Sequence, residues 1–222
     1  MAIPADTGAK AASSRSAAKV GAPPPGSNAD PSDGSVAKSR RLWPAFLRAA
    51  ESARPSPRPR RLARVLHDSA ARQARAPALY AAMGAPDTPE GRFELLSAHI
   101  ILLTEALANA GATAAAQEVF DLFLSDLDGA LREMAVGDLA VPGRMKRLGR
   151  AYFGRALAYR AAFTAFPDEG PLQALAARTV LAGAPQSDPA PLACYLAACR
   201  ESLARTPTAL LIAGAPSWPN LE

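Results

Sequence analysis

FDLFLSDLDGALREMAVGDLAVPGRMKRLGRAYFGRALAYRAAF, residues 120–163, is the stretch that decides how this chain folds. Apolar residues recur every three or four positions in both of its halves, which predicts two helices because an α-helix turns once in about 3.6 residues. Gly137 is expected to end the first helix, Asp138 to cap the second, and Pro142 to lie in the first turn of the second. The first helix is acidic outside and the second is strongly basic.

The composition favours helices throughout the 222-residue chain. Hydrophobic residues make up 49% of it and aromatic residues only 6%, with alanine in excess over β-branched side chains. Alanine has the highest helix propensity, whereas β-branched and aromatic residues favour strands. We therefore predict an all-α fold, with a single compact domain of about six helices over residues 61–222.

Residues 1–60 are expected to form a disordered arm. They are rich in proline, serine and arginine, and Arg54–Arg60 alternates proline with cations, which is typical of an extended linker. Residues 1–75 hold fourteen Lys/Arg and five Asp/Glu, a net charge of +9, whereas the remainder has a net charge of −4. This asymmetry predicts that the arm lies near an anionic surface, either RNA of a ribosome or membrane headgroups.

A helix start is predicted at residues 85–93. Asp87 or Thr88 can cap the helix, Pro89 suits its first turn, and Glu90 has the spacing of a capping box with Asp87. Apolar residues come next on two faces of this helix, so we expect it to be central and buried on most sides.

No motif for catalysis or for a resident cofactor is found. His67 and His99 lack neighbouring metal-ligand partners, and His99 is expected to be a core residue. Cys194 and Cys199 would point about 140° apart on a helix, which disfavours a disulfide and suggests a reducing compartment. We predict a protein that is not an enzyme and has no cofactor, no metal and no small-molecule substrate.

The basic helix is the predicted partner surface, because six cations without an interspersed acid exceed what solubility requires. The hypothesis assigns this surface to Arg144, Lys146, Arg147, Tyr152, Arg155, Tyr159 and Phe163. The alternative is that the three aromatic residues belong to the core and that Arg155 forms an ion pair with Asp121 or Asp128.

Other residues of this region are expected to have structural roles. Gly149 and Gly154 cost a helix up to about 1 kcal/mol each relative to alanine, so they are predicted to permit close helix packing. Arg92 and Arg132 are expected to bridge nearby carboxylates, namely those of Glu94, Glu133 or Asp138.

Five segments resemble the ubiquinol–cytochrome c chaperone family. They are Gln73–Pro77, Tyr80, Gly84–Leu96 (GAPDTPEGRFELL), Leu131–Lys146 (LREMAVGDLAVPGRMK) and Tyr152–Tyr159 (YFGRALAY). The resemblance covers roughly residues 62–205. Two departures are visible: Ala135 stands where the family usually has glycine, and Gly143 where it usually has lysine, which removes one cation from the basic helix.

The resemblance implies an assembly factor of the cytochrome bc1 complex, with nascent or unassembled cytochrome b as its partner. It implies a cytoplasmic protein, or one peripheral to the inner face of the inner membrane, in a bacterium, and a mitochondrial matrix protein in a eukaryote. The alternative function is a ribosome- or RNA-binding module that uses the arginine-rich arm and the basic helix.

Overall fold

The structure is a computed structural model that describes residues 57–134 and 140–221. Within these residues, all regular elements are helices, six of nine or more residues and two of five residues. They are α1 (Pro57–Ala74), α2 (Pro77–Ala81), α3 (Pro89–Asn109), α4 (Thr113–Glu133), α5 (Val141–Thr164), α6 (Gly170–Arg178), α7 (Pro189–Arg205) and α8 (Thr208–Ile212). The prediction of an all-α domain of about six helices is confirmed.

Helix α3 is the centre of the domain. It packs against α1, α4, α5 and α7. Leu95, Ile100, Leu103 and Leu107 are fully buried, and burying one such side chain stabilises the fold by roughly 1.5–3 kcal/mol. The helix is apolar around most of its circumference, as its sequence predicts, because neighbours cover it on several sides.

Helix α1 begins earlier than its sequence suggests. The proline-rich segment up to Arg60 was expected to be extended, but α1 includes residues from Pro57 onward. The first four N–H groups of a helix have no partner within it, so Pro57 and Pro59 remove no helical hydrogen bond at these positions. The rest of the predicted arm lies outside the described residues, so its disorder remains a prediction.

The start of α3 depends on a tight turn. Thr88 is the N-cap and its hydroxyl accepts a hydrogen bond from the Gly91 N–H at 3.1 Å. The capping-box spacing predicted between Asp87 and Glu90 does not apply, because the N-cap is one residue later. A Cβ at Gly91 would lie 2.1 Å from the Pro86 carbonyl oxygen, so only glycine fits without a shift of the backbone.

A chain of buried and partly buried hydrogen bonds joins α1, α3 and α7. Gln73 Nε2 donates to the Tyr195 hydroxyl at 3.0 Å, and that hydroxyl lies 2.7 Å from His99 Nε2. His99 Nδ1 lies 2.7 Å from the Leu95 carbonyl. A carbonyl can only accept, so Nδ1 carries the proton and Nε2 accepts from the tyrosine. His99 is fully buried and is a core residue, as expected.

The segment after α8 crosses back to α1. Trp218 Nε1 donates to Ser69 Oγ at 3.0 Å, and the Pro219 carbonyl accepts from Gln73 Nε2 at 3.0 Å. The Trp218 ring also lies 5.5 Å from the His99 ring, measured between centroids. These contacts hold residues 218–219 on the domain.

Two glycines of α5 do not have the role predicted for them. A Cβ built on Gly149 or Gly154 meets no heavy atom within 4 Å. The described part of the domain therefore contains no close helix contact that requires either glycine.

Alanine substitutions of glycines should have opposite effects at two helical sites. We expect Gly91→Ala to lower the free energy of unfolding by about 1–3 kcal/mol, because the new methyl group collides with the Pro86 carbonyl. Gly149→Ala should raise it by up to about 1 kcal/mol, because alanine is the better helix former and has open space. Urea unfolding followed by circular dichroism measures both. Equal effects at the two sites would contradict this account of the turn.

Burial should make the stability depend on pH through His99. Desolvation lowers the pKa of His99 to about 4, against about 6.5 in the unfolded chain. Between these values the unfolded chain binds a proton that the folded protein does not, so stability is lost as the pH falls. We expect this residue to account for about 2 kcal/mol of lost stability between pH 7 and pH 5.

Urea titrations of the wild type and His99→Gln at both pH values isolate this contribution. The variant should lose about 2 kcal/mol less than the wild type over this interval. Tyr195→Phe removes a hydrogen bond but keeps the imidazole buried, so it should retain the wild-type pH dependence. Identical pH dependence in wild type and His99→Gln would show that this histidine is not the titrating group.

Candidate functional site

A cleft of about 870 Å³ opens where four helices meet. The C-terminal halves of α1 and α4 and the N-terminal halves of α3 and α5 form its walls. Its lining is mainly apolar: Ala71, Ala74, Phe93, Leu96, Leu127, Ala130, Leu131, Met134 and Leu148. A concave and largely apolar surface of this size is typical of a binding site.

The last two turns of α4 supply one wall. Leu127, Leu131 and Met134 recur at intervals of four and three residues, so they lie along one side of the helix. Met134 is a large apolar side chain that is 58% exposed. Methionine is flexible and polarizable, so it can adapt to apolar partners of different shape. Phe93 of α3 stacks on Phe123, with ring centroids 6.3 Å apart.

Charged residues surround the apolar lining. Arg92 Nε donates to Asp87 Oδ1 at 2.5 Å, and this hydrogen bond lowers the pKa of the Asp87 carboxyl. Arg144 and Arg147 line the opposite side, and no carboxylate of the described residues lies within 4 Å of them. That side of the rim can therefore attract an anionic group.

Helix α5 is joined to α3 by an ion pair beside the cleft. Arg155 donates to both carboxylate oxygens of Glu94, at 3.0 Å from Nε and 2.6 Å from Nη2. The hydrogen bonds that Arg155 donates to this carboxylate raise the pKa of Arg155. The alternative prediction named Asp121 or Asp128 as the partner, which is wrong. Those acids contact Gln117 and Arg132 instead, one helical turn away on α4.

The three aromatic residues assigned to the partner surface lie in the core. Tyr152 is 4% exposed, Tyr159 1% and Phe163 6%. The Tyr152 ring contacts Phe120 and Phe123, at centroid distances of 4.9 and 5.3 Å. A partner could reach these rings only if α5 moved away from the domain, so the structure contradicts their placement on a surface.

The remaining predicted residues are distributed around the cleft. Lys146 is exposed on α5 but does not line the cleft, and Pro142 lies in the first turn of that helix. Arg92 and Arg132 were expected to bridge Glu94, Glu133 or Asp138. Arg92 contacts Asp87 at 2.5 Å and Arg132 contacts Asp128 at 2.8 Å, and a bridge to Asp138 remains a prediction. Gly137 and Asp138 lie outside the described residues, so their turn and cap remain predictions.

Several residues of the cleft carry no sequence signal that marks them as part of a site. Tyr80 belongs to the short helix α2, and its hydroxyl donates to the Ala74 carbonyl at 3.0 Å. The cleft combines segments from residue 71 to residue 148, and helical periodicity does not reveal which distant segments meet. The sequence indicates the cleft only through the cations Arg75 and Arg92, which lie near the ends of neighbouring helices.

The described residues supply no metal site or membrane span. Among them, no group of three or more His, Cys, Asp or Glu side chains is placed to hold a metal ion. None of the helices over residues 57–134 and 140–221 is long and apolar enough to cross a bilayer. Cys194 and Cys199 are both free thiols.

The fold and the cleft together define the class of this protein, which is an all-α protein with an apolar cleft bordered by arginines. A family model described as ubiquinol–cytochrome c chaperone matches residues 81–218. The crystal structure of the Cbp3 homolog from Brucella abortus is similar, with 32% sequence identity and a TM-score of 0.64 over 82% of this chain and 97% of that one. No curated protein matches significantly. The chain belongs to the ubiquinol–cytochrome c chaperone family.

The ion pair between α3 and α5 should be measurable as a coupling energy. We expect Arg155→Ala and Glu94→Ala each to lower the free energy of unfolding by about 1–2 kcal/mol, because each leaves a half-buried charge without its partner. A double-mutant cycle should give a coupling of about 1 kcal/mol. Arg205→Ala is the control, because its pair with Glu201 is exposed and should contribute less than about 0.5 kcal/mol. A coupling energy of zero would contradict the ion pair between Arg155 and Glu94.

Proposed function

We propose that this chain is a non-enzymatic assembly chaperone of the ubiquinol–cytochrome c reductase (bc1) complex, and that its client is newly made cytochrome b. The cleft lined by Leu127, Leu131 and Met134 is the proposed client site. Membership of the chaperone family supports the role in assembly. The apolar cleft is the single observation that carries the client site.

The chemistry of the cleft suits a segment of an unassembled membrane protein. Such a segment presents apolar side chains to water before insertion or assembly, and burying them contributes about 25 cal/mol per Å² of apolar surface. The exposed thioether of Met134 would be covered on binding. Holding such a segment also prevents its contact with other exposed apolar surfaces.

Arg144 and Arg147 would bind polar groups that flank the apolar segment. Guanidinium groups donate to carboxylates, phosphates and free backbone carbonyls. Contacts at a solvent-exposed rim are screened by salt, with a Debye length of about 8 Å at physiological ionic strength. Client binding should therefore have an apolar component that persists in salt and an ionic component that weakens.

Replacement of cleft residues should lower the yield of the complex. In cells that carry a tagged copy of this chain as their only copy, we expect Met134→Glu and Arg147→Glu each to reduce copurified cytochrome b and membrane bc1 at least about threefold. A charge in the apolar wall and a reversed charge on the rim both weaken binding. Haem b absorbance of membranes and quantitative mass spectrometry of the purified protein measure the two effects.

Matched controls separate binding from general effects of surface charge. Ile212→Glu replaces a hydrophobic residue that is 51% exposed, and Arg178→Glu reverses an exposed cation, both outside the cleft. Both should leave cytochrome b recovery at the wild-type level. Deletion of the chain without any loss of bc1 would refute the assembly role, whereas equal effects of control and cleft variants would refute only the client site.

A further inference from the structure

The cleft carries cations on two flanks. Helices α1 and α5 each pack against both α3 and α4, whereas α1 and α5 are not among the closely packed pairs of described helices. They therefore border the cleft from different sides. Arg75 lines it directly after the end of α1, and Arg144 and Arg147 line it from the first two turns of α5.

The charge of these three arginines is not neutralised within the described part of the domain. Arg75, Arg144 and Arg147 are exposed. No carboxylate of residues 57–134 and 140–221 lies within 4 Å of their guanidinium groups. Both flanks therefore present free donors to whatever enters the cleft.

The carboxylates that line the cleft do not offset this charge. Asp87 pairs with Arg92, and Glu94 pairs with Arg155. The third lining acid, Glu90, is exposed in the first turn of α3, where the free N–H groups of a helix favour a negative charge. The rim of the cleft therefore keeps an excess of positive charge.

The position of Arg144 gives the domain itself no electrostatic benefit. This residue lies in the first turn of α5, which contains no acid, and Ala140 provides no side-chain cap. The positive end of the helix dipole is located there, so a cation is unfavourable by roughly the 0.3–1 kcal/mol that an acid would contribute. A charge that opposes the dipole and lacks a partner in the described residues indicates a ligand of opposite sign.

The floor between the two flanks cannot discriminate among apolar segments. It is formed by apolar side chains of α3 and α4, among them Phe93, Leu131 and Met134. Burial of apolar surface is favourable for any apolar residue and has no preferred direction. Charges on the rim are different, because like charges brought together repel and opposite charges attract. Selection among apolar segments must therefore come from the flanks.

We propose that the cleft selects peptide segments in which apolar residues are flanked on both sides by acidic ones. This inference rests on the proposed client site and names the chemistry that the bound segment must have. The apolar residues cover the floor, and the flanking carboxylates accept hydrogen bonds from Arg75 on one side and from Arg144 and Arg147 on the other. A segment flanked by lysines or arginines places like charges together and is rejected.

Other anionic partners fit the cleft less well than a peptide does. A bilayer surface is flat, whereas the apolar side chains lie inside a cleft of about 870 Å³. A nucleic acid binds largely through its phosphates and would leave the apolar floor uncovered. A peptide with an apolar centre and acidic ends satisfies both the floor and the flanks.

Two synthetic peptides test the selection. Both carry a fluorescent label and the same central run of leucine and phenylalanine, but one has glutamates at both ends and the other has lysines. Fluorescence anisotropy with the full-length protein, at low and physiological salt, measures both affinities. We expect the glutamate peptide to bind at least about tenfold more tightly at low salt, and the difference to shrink as salt screens the flanking charges.

Charge reversal on both flanks isolates the cleft from the rest of the chain. The basic residues 1–60 attract the glutamate peptide equally in all variants. In Arg75→Glu/Arg147→Glu, the ratio of the two affinities should fall at least about tenfold. Arg72→Glu/Arg150→Glu is the matched control, because it reverses exposed cations of the same two helices that do not line the cleft. It should keep the wild-type ratio. Circular dichroism confirms that each variant is folded before it is scored.

The remaining outcomes separate this inference from the client site. Equal binding of both peptides, with both affinities lost in Met134→Glu, would overturn the acidic selection and leave the client site intact. Absence of binding by either peptide would overturn both. The selection would also be wrong if the control variant changed the ratio as much as Arg75→Glu/Arg147→Glu does. It would equally be wrong if an oligouridylate bound more tightly than the glutamate peptide with the same dependence on these arginines.

Discussion

The burial of α3 on several sides constrains the rest of the domain. A helix with leucines and isoleucines around most of its circumference must be covered from several directions at once, and four other helices pack against it. Each covering helix needs one apolar face only. Its opposite face is left to solvent, which is why α5 can be basic outside without loss of core packing. The cleft opens near the start of α3.

The polar groups of the His99 network inside this core have hydrogen-bond partners. His99 lies on the most buried helix, and both of its ring nitrogens have partners because the Tyr195 hydroxyl and the Leu95 carbonyl are at hydrogen-bond distance. An unpaired imidazole in the same place would cost roughly 1–3 kcal/mol. The network also fixes orientation, since Gln73 must be presented by α1 at one angle to reach Tyr195. Apolar contacts alone would tolerate rotation of that helix.

Local features of the sequence predict most of the helices, because caps and prolines act over one turn. Pro89 and Pro142 lie in the first turns of α3 and α5, as predicted. The site was less predictable. Periodicity shows that Tyr152, Tyr159 and Phe163 share a side of α5, but not whether that side faces a core or a partner. The contact of Arg155 with Glu94 joins residues 61 positions apart, and only tertiary structure selects it over nearer acids.

The contacts of residues 218–219 with α1 bear on how the protein is made. Ser69 and Gln73 are bound by residues 149 and 146 positions later in the chain. A ribosome produces α1 early, so these two side chains remain without those partners until translation has passed residue 219. Contacts of such long sequence separation form late, since a long loop must close first. The Ser69 and Gln73 side of α1 therefore obtains its last contacts only after every described helix has been synthesised, although α3 can cover the other side of α1 much earlier.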